Sequence, residues 1–137
     1  MTNSRSLVHQ LADHAAAEAD VPAIFDKVDG SWQPLTWGEY WTAAREVASG
    51  LLDLGLQPGD AVALIGPNRR DWAVCQLGIW AMGGLACPIY ATSTEEQAKY
   101  IAGHGPDPKL ADGPVAPVRA DERHCVAGLE AEVEQAR

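Results

Sequence analysis

Two short, unbroken apolar runs separated by one helix-length segment constrain this chain more than any other feature. The first, Ala61-Val62-Ala63-Leu64-Ile65, is followed by Gly66-Pro67-Asn68; the second, Leu85 to Tyr90, follows Gly83-Gly84. Neither run alternates polar with apolar residues, so both read as strands covered on each face, the condition of parallel sheets. The segment between them reads as a helix running to about Met82, with Asn68 placed to cap it and Asp71 in its first turn. Strand, helix and strand within about 30 residues make a βαβ unit with a right-handed crossover. The window from Trp72 to Thr94 carries no charge, yet Gln76, Gly83-Gly84 and Pro88 interrupt it. A buried helix and a buried strand account for it, and no transmembrane segment is expected.

Other elements gather around this unit. Leu7, Leu11, Ala15 and Ala19 draw a slowly drifting stripe on a helix from Ser6 to Ala19, which Pro22 stops. Ala23 to Asp26 and Gln33 to Thr36 read as strands of a hairpin around Val28-Asp29-Gly30-Ser31, where the glycine tolerates the positive φ of a tight turn. Thr36-Trp37-Gly38-Glu39 is a capping box opening a helix with Tyr40, Ala44, Val47, Ala48, Leu51 and Leu54 on one face; Gly55 and Leu56 have the chemistry of its C-terminal cap. Ser93-Thr94-Glu95-Glu96 reads as a second capping box, opening a short helix that Gly103 terminates. Beyond Gly105 the texture changes. Pro106, Pro108, Pro114 and Pro117 crowd together, no apolar run of strand length is visible, and Val126, Leu129 and Val133 could line a short terminal helix from about Glu122. The expected fold class is α/β: a partial parallel sheet with covering helices, comprising the βαβ unit, an N-terminal helix and a hairpin. Residues 1–105 are read as one domain portion, and residues 106–137 as a divergent proline-rich tail with a short terminal helix.

Composition excludes several functions. The 137 residues describe one domain or a piece of one, and 10 basic against 19 acidic side chains leave a net charge of −9. Basic residues never cluster beyond Arg69-Arg70, so nucleic acid is not an expected partner. Cys75, Cys87 and Cys125 show no motif spacing, which indicates neither a disulfide framework nor a zinc site. The opening residues lack the apolar stretch of a secretory signal, and a cytoplasmic chain is expected.

Each candidate site has an ordinary explanation. Gly66-Pro67-Asn68-Arg69-Arg70 lies where α/β folds bind anions, but one glycine replaces the three of a dinucleotide fingerprint and no Lys-Ser or Lys-Thr follows. Gly105-Pro106-Asp107-Pro108-Lys109 superficially resembles a proline-lysine phosphate loop, but two prolines remove amide donors from it. His9 and His14 do not share a helix face, and His104 and His124, the latter beside Cys125, have no ligand or nucleophile arrangement around them. Trp32, Trp37, Trp41, Trp72 and Trp80 read as packing residues. Lys27, Lys99 and Lys109 fall on a hairpin, a short helix and the tail, and form no phosphate clamp; Glu95 and Glu96 open a helix and are poor magnesium ligands. No catalytic, cofactor-binding or metal residue is assigned.

Several segments together carry a resemblance. Leu35-Thr36-Trp37-Gly38-Glu39-Tyr40, Ala48-Ser49-Gly50-Leu51, Leu54-Gly55-Leu56-Gln57-Pro58-Gly59-Asp60-Ala61-Val62-Ala63-Leu64, Asn68-Arg69-Arg70-Asp71-Trp72 and Gly83-Gly84-Leu85-Ala86-Cys87-Pro88-Ile89-Tyr90-Ala91-Thr92-Ser93 follow one another in order. This series, over roughly residues 6 to 104, resembles the start of the adenylate-forming enzymes, and long-chain fatty acyl-CoA synthetases in particular. The resemblance implies a truncated N-terminal domain of the adenylate-forming fold. It implies a two-step reaction in which fatty acid and Mg-ATP give an acyl-adenylate and pyrophosphate, and CoA then displaces AMP. The family's phosphate loop, adenine and magnesium segment, ribose-binding Asp and catalytic Lys have no matching positions. ATP, Mg and CoA are thus cofactors of the full-length family and none is expected for this chain, while fatty acid and CoA become partners only if the missing domains complete it. The expectation is a fragment inactive alone, with an exposed sheet edge through which it self-associates. A non-catalytic α/β interaction module is the alternative.

Overall fold

The computed structural model describes residues 5–90, 92–103 and 116–119. Helix α1 (Leu7–Ala17) opens on Ser6, whose hydroxyl accepts from the His9 amide, and Leu11 is the one buried residue of the expected stripe. A stripe spaced by four drifts round the helix, so it meets the core only at its middle. The hairpin pairs β1 (Pro22–Val28) with β2 (Ser31–Thr36) in antiparallel register from Val28 opposite Ser31 to Ile24 opposite Leu35. Asp29 at φ 48 and Gly30 at φ 82 give its turn the two positive φ values that match strand twist. Helix α2 (Trp37–Asp53) begins with the expected capping box: the Glu39 amide donates to Thr36 Oγ1 at 3.3 Å, and the Thr36 amide to Glu39 Oε2 at 2.9 Å. At its other end the Leu56 amide reaches Leu51 O and Gly55, at φ 94, reaches Leu52 O, the paired bonds of a Schellman cap.

The βαβ unit forms as read. Strand β3 (Ala61–Ile65), helix α3 (Arg70–Ala81) and strand β4 (Leu85–Ile89) follow, the strands pairing in parallel from Ala61 opposite Leu85 to Ile65 opposite Ile89. Helix α3 also closes with Schellman bonds, Gly84 N to Ile79 O and Gly83 N to Trp80 O. Helix α4 (Glu95–Gly103) follows, and strand β5 (Ala116–Arg119) pairs in parallel with β3, so the sheet order is β4-β3-β5. This third strand differs from the expectation that none follows Gly105. Four residues that include Pro117 carry too little apolar pattern to be read as a strand, and only the open side of β3 gives them a partner. The expected terminal helix lies outside the described residues.

The sheet's two faces differ. Val62 and Leu64, both fully buried, join a core with Tyr40, Ala44, Val47 and Leu51 of α2 and Val74, Cys75 and Ile79 of α3. Ala61 and Ala63 point the other way and are buried as well. Helix α4 packs against β4. Coverage on both faces therefore holds for β3 but not for β4, where Leu85 is 44% exposed, because β4 is an edge strand. Cys75 is disulfide-bonded, although the cysteine spacing indicates no disulfide framework; spacing along the chain cannot report a proximity that folding creates. Cys87 is the free cysteine among the described residues.

Candidate functional site

The carboxyl end of β3 is the place where this topology would present a ligand, and Gly66 to Arg70 occupy it. Helix α3 does not start on an Asn68 cap. Its N-cap is Arg69, extended at φ −125 and ψ 172 and without a side-chain cap bond, so the turn is held by backbone alone, Arg69 N donating to Pro67 O at 2.8 Å. Asn68 precedes the cap by one residue, out of register for the amides it was expected to satisfy. Neither arginine points into an anion cradle. Arg69 Nη2 donates to the Lys27 carbonyl of the hairpin at 3.3 Å, and Arg70 Nε lies 3.7 Å from Asp71 Oδ1.

The other candidates are dispersed. His9 Nδ1 is 2.7 Å from Ser6 Oγ at the start of α1, whereas His14 stacks on Trp37 with centroids 4.6 Å apart and has Glu18 at 3.6 Å. Trp41, Trp72 and Trp37 pack partly buried against the core, as read, but Trp32 is 66% exposed on the hairpin, because its side of β2 faces away from that core. Lys27 stands on β1 and Lys99 on α4. Glu95 and Glu96 occupy the first turn of α4, but the capping box there belongs to the next register: Gln97 N donates to Thr94 Oγ1 at 3.3 Å and Thr94 N to Gln97 Oε1 at 3.0 Å. Ser93 and Glu96 are thus one residue early; two adjacent hydroxyl residues each followed by a suitable partner leave the sequence ambiguous. Among the described residues no three His, Cys, Asp or Glu side chains gather to hold a metal. His104, the Gly105 to Lys109 segment, His124 and Cys125 lie outside the described residues.

Two open grooves stand out among the described residues. One, of about 610 Å³, lies between the start of α1 and the end of α3, lined by Ser6, Leu7, His9, Trp80 and Met82. The other, of about 570 Å³, lies between the end of β4 and α4, lined by Tyr90, Ser93, Glu96, Tyr100 and Ile101. Neither converges charged groups on one point. Among the described residues the group with a clearly perturbed acidity is structural: Tyr40 Oη donates to the Ala73 carbonyl at 3.2 Å, and burial pushes its phenol from 10.0 up to about 12. The helical pattern places Tyr40 on the buried face of α2 but cannot show that its hydroxyl bridges to α3.

Comparison with known proteins supplies what the side chains do not. The sequence model of the AMP-binding enzyme family matches residues 11–106. The Mycobacterium bovis long-chain-fatty-acid–CoA ligase FadD15 is 34% identical over 89 residues, covering 65% of this chain and 15% of the relative. The Rattus norvegicus long-chain-fatty-acid–CoA ligase ACSBG2 is 38% identical over 80 residues, 58% of this chain and 12% of the relative. Among solved structures, a Rhodopseudomonas palustris protein described as a long-chain-fatty-acid CoA ligase superposes with a TM-score of 0.69 at 26% identity, covering 96% of this chain and 31% of that one. A fatty acid AMP ligase of Legionella pneumophila gives 0.62 at 24% identity, over 67% and 16% of the two chains, a likeness of fold. This chain thus spans only about a seventh of the length of the curated relatives it matches.

Proposed function

Because the chain belongs to the AMP-binding enzyme family, we propose that it is the N-terminal portion of an AMP-forming long-chain-fatty-acid CoA ligase. The observation that carries this reading is the unbroken match over residues 11–106, which runs from α1 through α4 in chain order. The reaction is the one the resemblance implies: a fatty carboxylate attacks the α-phosphorus of ATP, pyrophosphate leaves, and the sulfur of CoA then attacks the acyl carbonyl and releases AMP. Residues 1–105 are the family's portion and residues 106–137 a divergent tail that contributes β5.

In this reading the chain supplies scaffold. Two anions must approach during adenylation while a third leaves, which requires aimed cations and amides around the phosphates. The described residues offer no such arrangement, since Arg69 is turned to the hairpin, Arg70 lies against Asp71, and no acidic cluster stands ready for magnesium. Binding of ATP, magnesium and CoA belongs to the longer polypeptide, and the chain alone is inactive. Fatty-acid-dependent exchange of labelled pyrophosphate into ATP, measured with the purified chain and magnesium, should stay at background. Exchange above background that disappears in Lys99→Ala would overturn this reading.

A further inference from the structure

Cys75 carries a bond that the family reading does not use. It lies on α3 with no exposed surface, in the same core cluster as Val62 and Leu64 of β3, and it is disulfide-bonded. The chain has three cysteines, Cys75, Cys87 and Cys125, and Cys87 on β4 is free. A disulfide needs the two Cα atoms within about 7 Å, and a sulfur sealed in the core cannot meet a second molecule at that range. The partner therefore belongs to the same chain, and elimination leaves Cys125, which itself lies outside the described residues. The topology agrees. Strand β5 pairs with β3 from Val62 opposite Ala116 to Ile65 opposite Arg119, beside the two β3 residues that share the cluster with Cys75. Cys125 follows Arg119 by six positions, a reach of about 20 Å at full extension.

We infer that Cys75 is bonded to Cys125 and that this cross-link is a redox-sensitive tie holding β5 to the sheet. The strand needs one. It has four residues, Pro117 among them has no N–H to give the ladder, and residues 90–115 separate it from β4. So short a strand at the end of so long a connection recovers little of the entropy of closing that loop. The cross-link closes residues 75–125 into one ring and restricts the open chain, which favours the pairing of β5 with β3. The family match covers residues 11–106, so the tie joins the matched core to the tail beyond it. A dithiol reductant undoes it by exchange: one thiolate attacks a sulfur of the bond to form a mixed disulfide, the second closes the reductant's own disulfide, and Cys75 and Cys125 are left as thiols. Strand β5 then leaves, and its side of β3 opens as a sheet edge.

Thiol counting, peptide mapping and hydrogen exchange on the full chain test this without nucleotide or fatty acid, so the outcome is independent of the ligase reading. Denatured without reductant, the chain should show one reactive thiol, Cys87, and three after reduction. Proteolytic digestion and mass spectrometry should recover the Cys75 and Cys125 peptides joined. In the folded chain, reduction and alkylation should speed exchange of the β3 amides that face β5 by about tenfold or more and lower the melting temperature by several degrees. Cys125→Ser should show the fast exchange with or without reductant, whereas Cys87→Ser should behave as wild type. Should Cys125→Ser fail to fold, the reduced and alkylated wild type gives the same comparison. Three reactive thiols before reduction, a link that contains Cys87, a reductant-sensitive dimer, or β3 exchange unchanged by reduction would each overturn the proposal.

Discussion

Gly78 sets the distance between the two central helices. A Cβ built there would lie 2.5 Å from Val47 Cβ and 2.9 Å from the Ala44 carbonyl oxygen, so α2 and α3 cross where neither can give way. Gly78→Ala should therefore destabilise the chain by about 1–3 kcal/mol despite its better helix propensity, read as a lower denaturant midpoint. Tyr40 ties the same pair of helices through Ala73 and makes stability depend on alkaline pH. Its folded pKa, about 12, lies above the ordinary 10.0, so its contribution is complete below pH 10 and is lost as pH rises toward 12. Wild type should accordingly lose more stability over that interval than Tyr40→Phe, which at neutral pH should cost about 1 kcal/mol for the missing hydrogen bond. Equal losses would show that the phenol ionises freely in the folded state.

At the level of elements, caps decide where helices begin. Thr36 and Glu39 form the reciprocal pair the sequence announces, because a single hydroxyl residue stands before a single suitable partner. The start of α4 offers Ser93 and Thr94 side by side, and the structure selects Thr94 with Gln97. Thr94→Ala should weaken this helix by roughly 1 kcal/mol whereas Ser93→Ala should change little, as hydrogen exchange of its amides would register. The opposite ranking would restore Ser93 as the cap.

Across the described residues the hairpin stands beside a three-stranded sheet, order β4-β3-β5, with α1, α2 and α3 gathered on one face of that sheet. Both outer strands contain a proline, Pro88 in β4 and Pro117 in β5. A proline lacks the N–H that a docking strand would need, which blunts an edge otherwise open to pairing. Association through the edges should thus be weak, and Pro88→Val should raise the concentration-dependent association seen by light scattering. No change in that variant would remove the edge as the route.

Sequence by itself determined the βαβ unit, the hairpin and the α2 cap, since each depends on neighbours within a few residues: unbroken apolar runs, Asp29-Gly30 in a turn, Thr36 three before Glu39. The order of these segments also carried the family likeness, which no single side chain displays. Tertiary structure decided what depends on distant partners. Strand β5 exists because β3 has a second free side, Cys75 is paired by proximity, Arg69 is drawn to the hairpin instead of a phosphate, and Trp32 is left facing outward by the pleat. Periodicity and capping chemistry act over one helical turn or one strand pair, whereas these outcomes require segments separated by tens of residues to meet, and that information appears only once the core has closed.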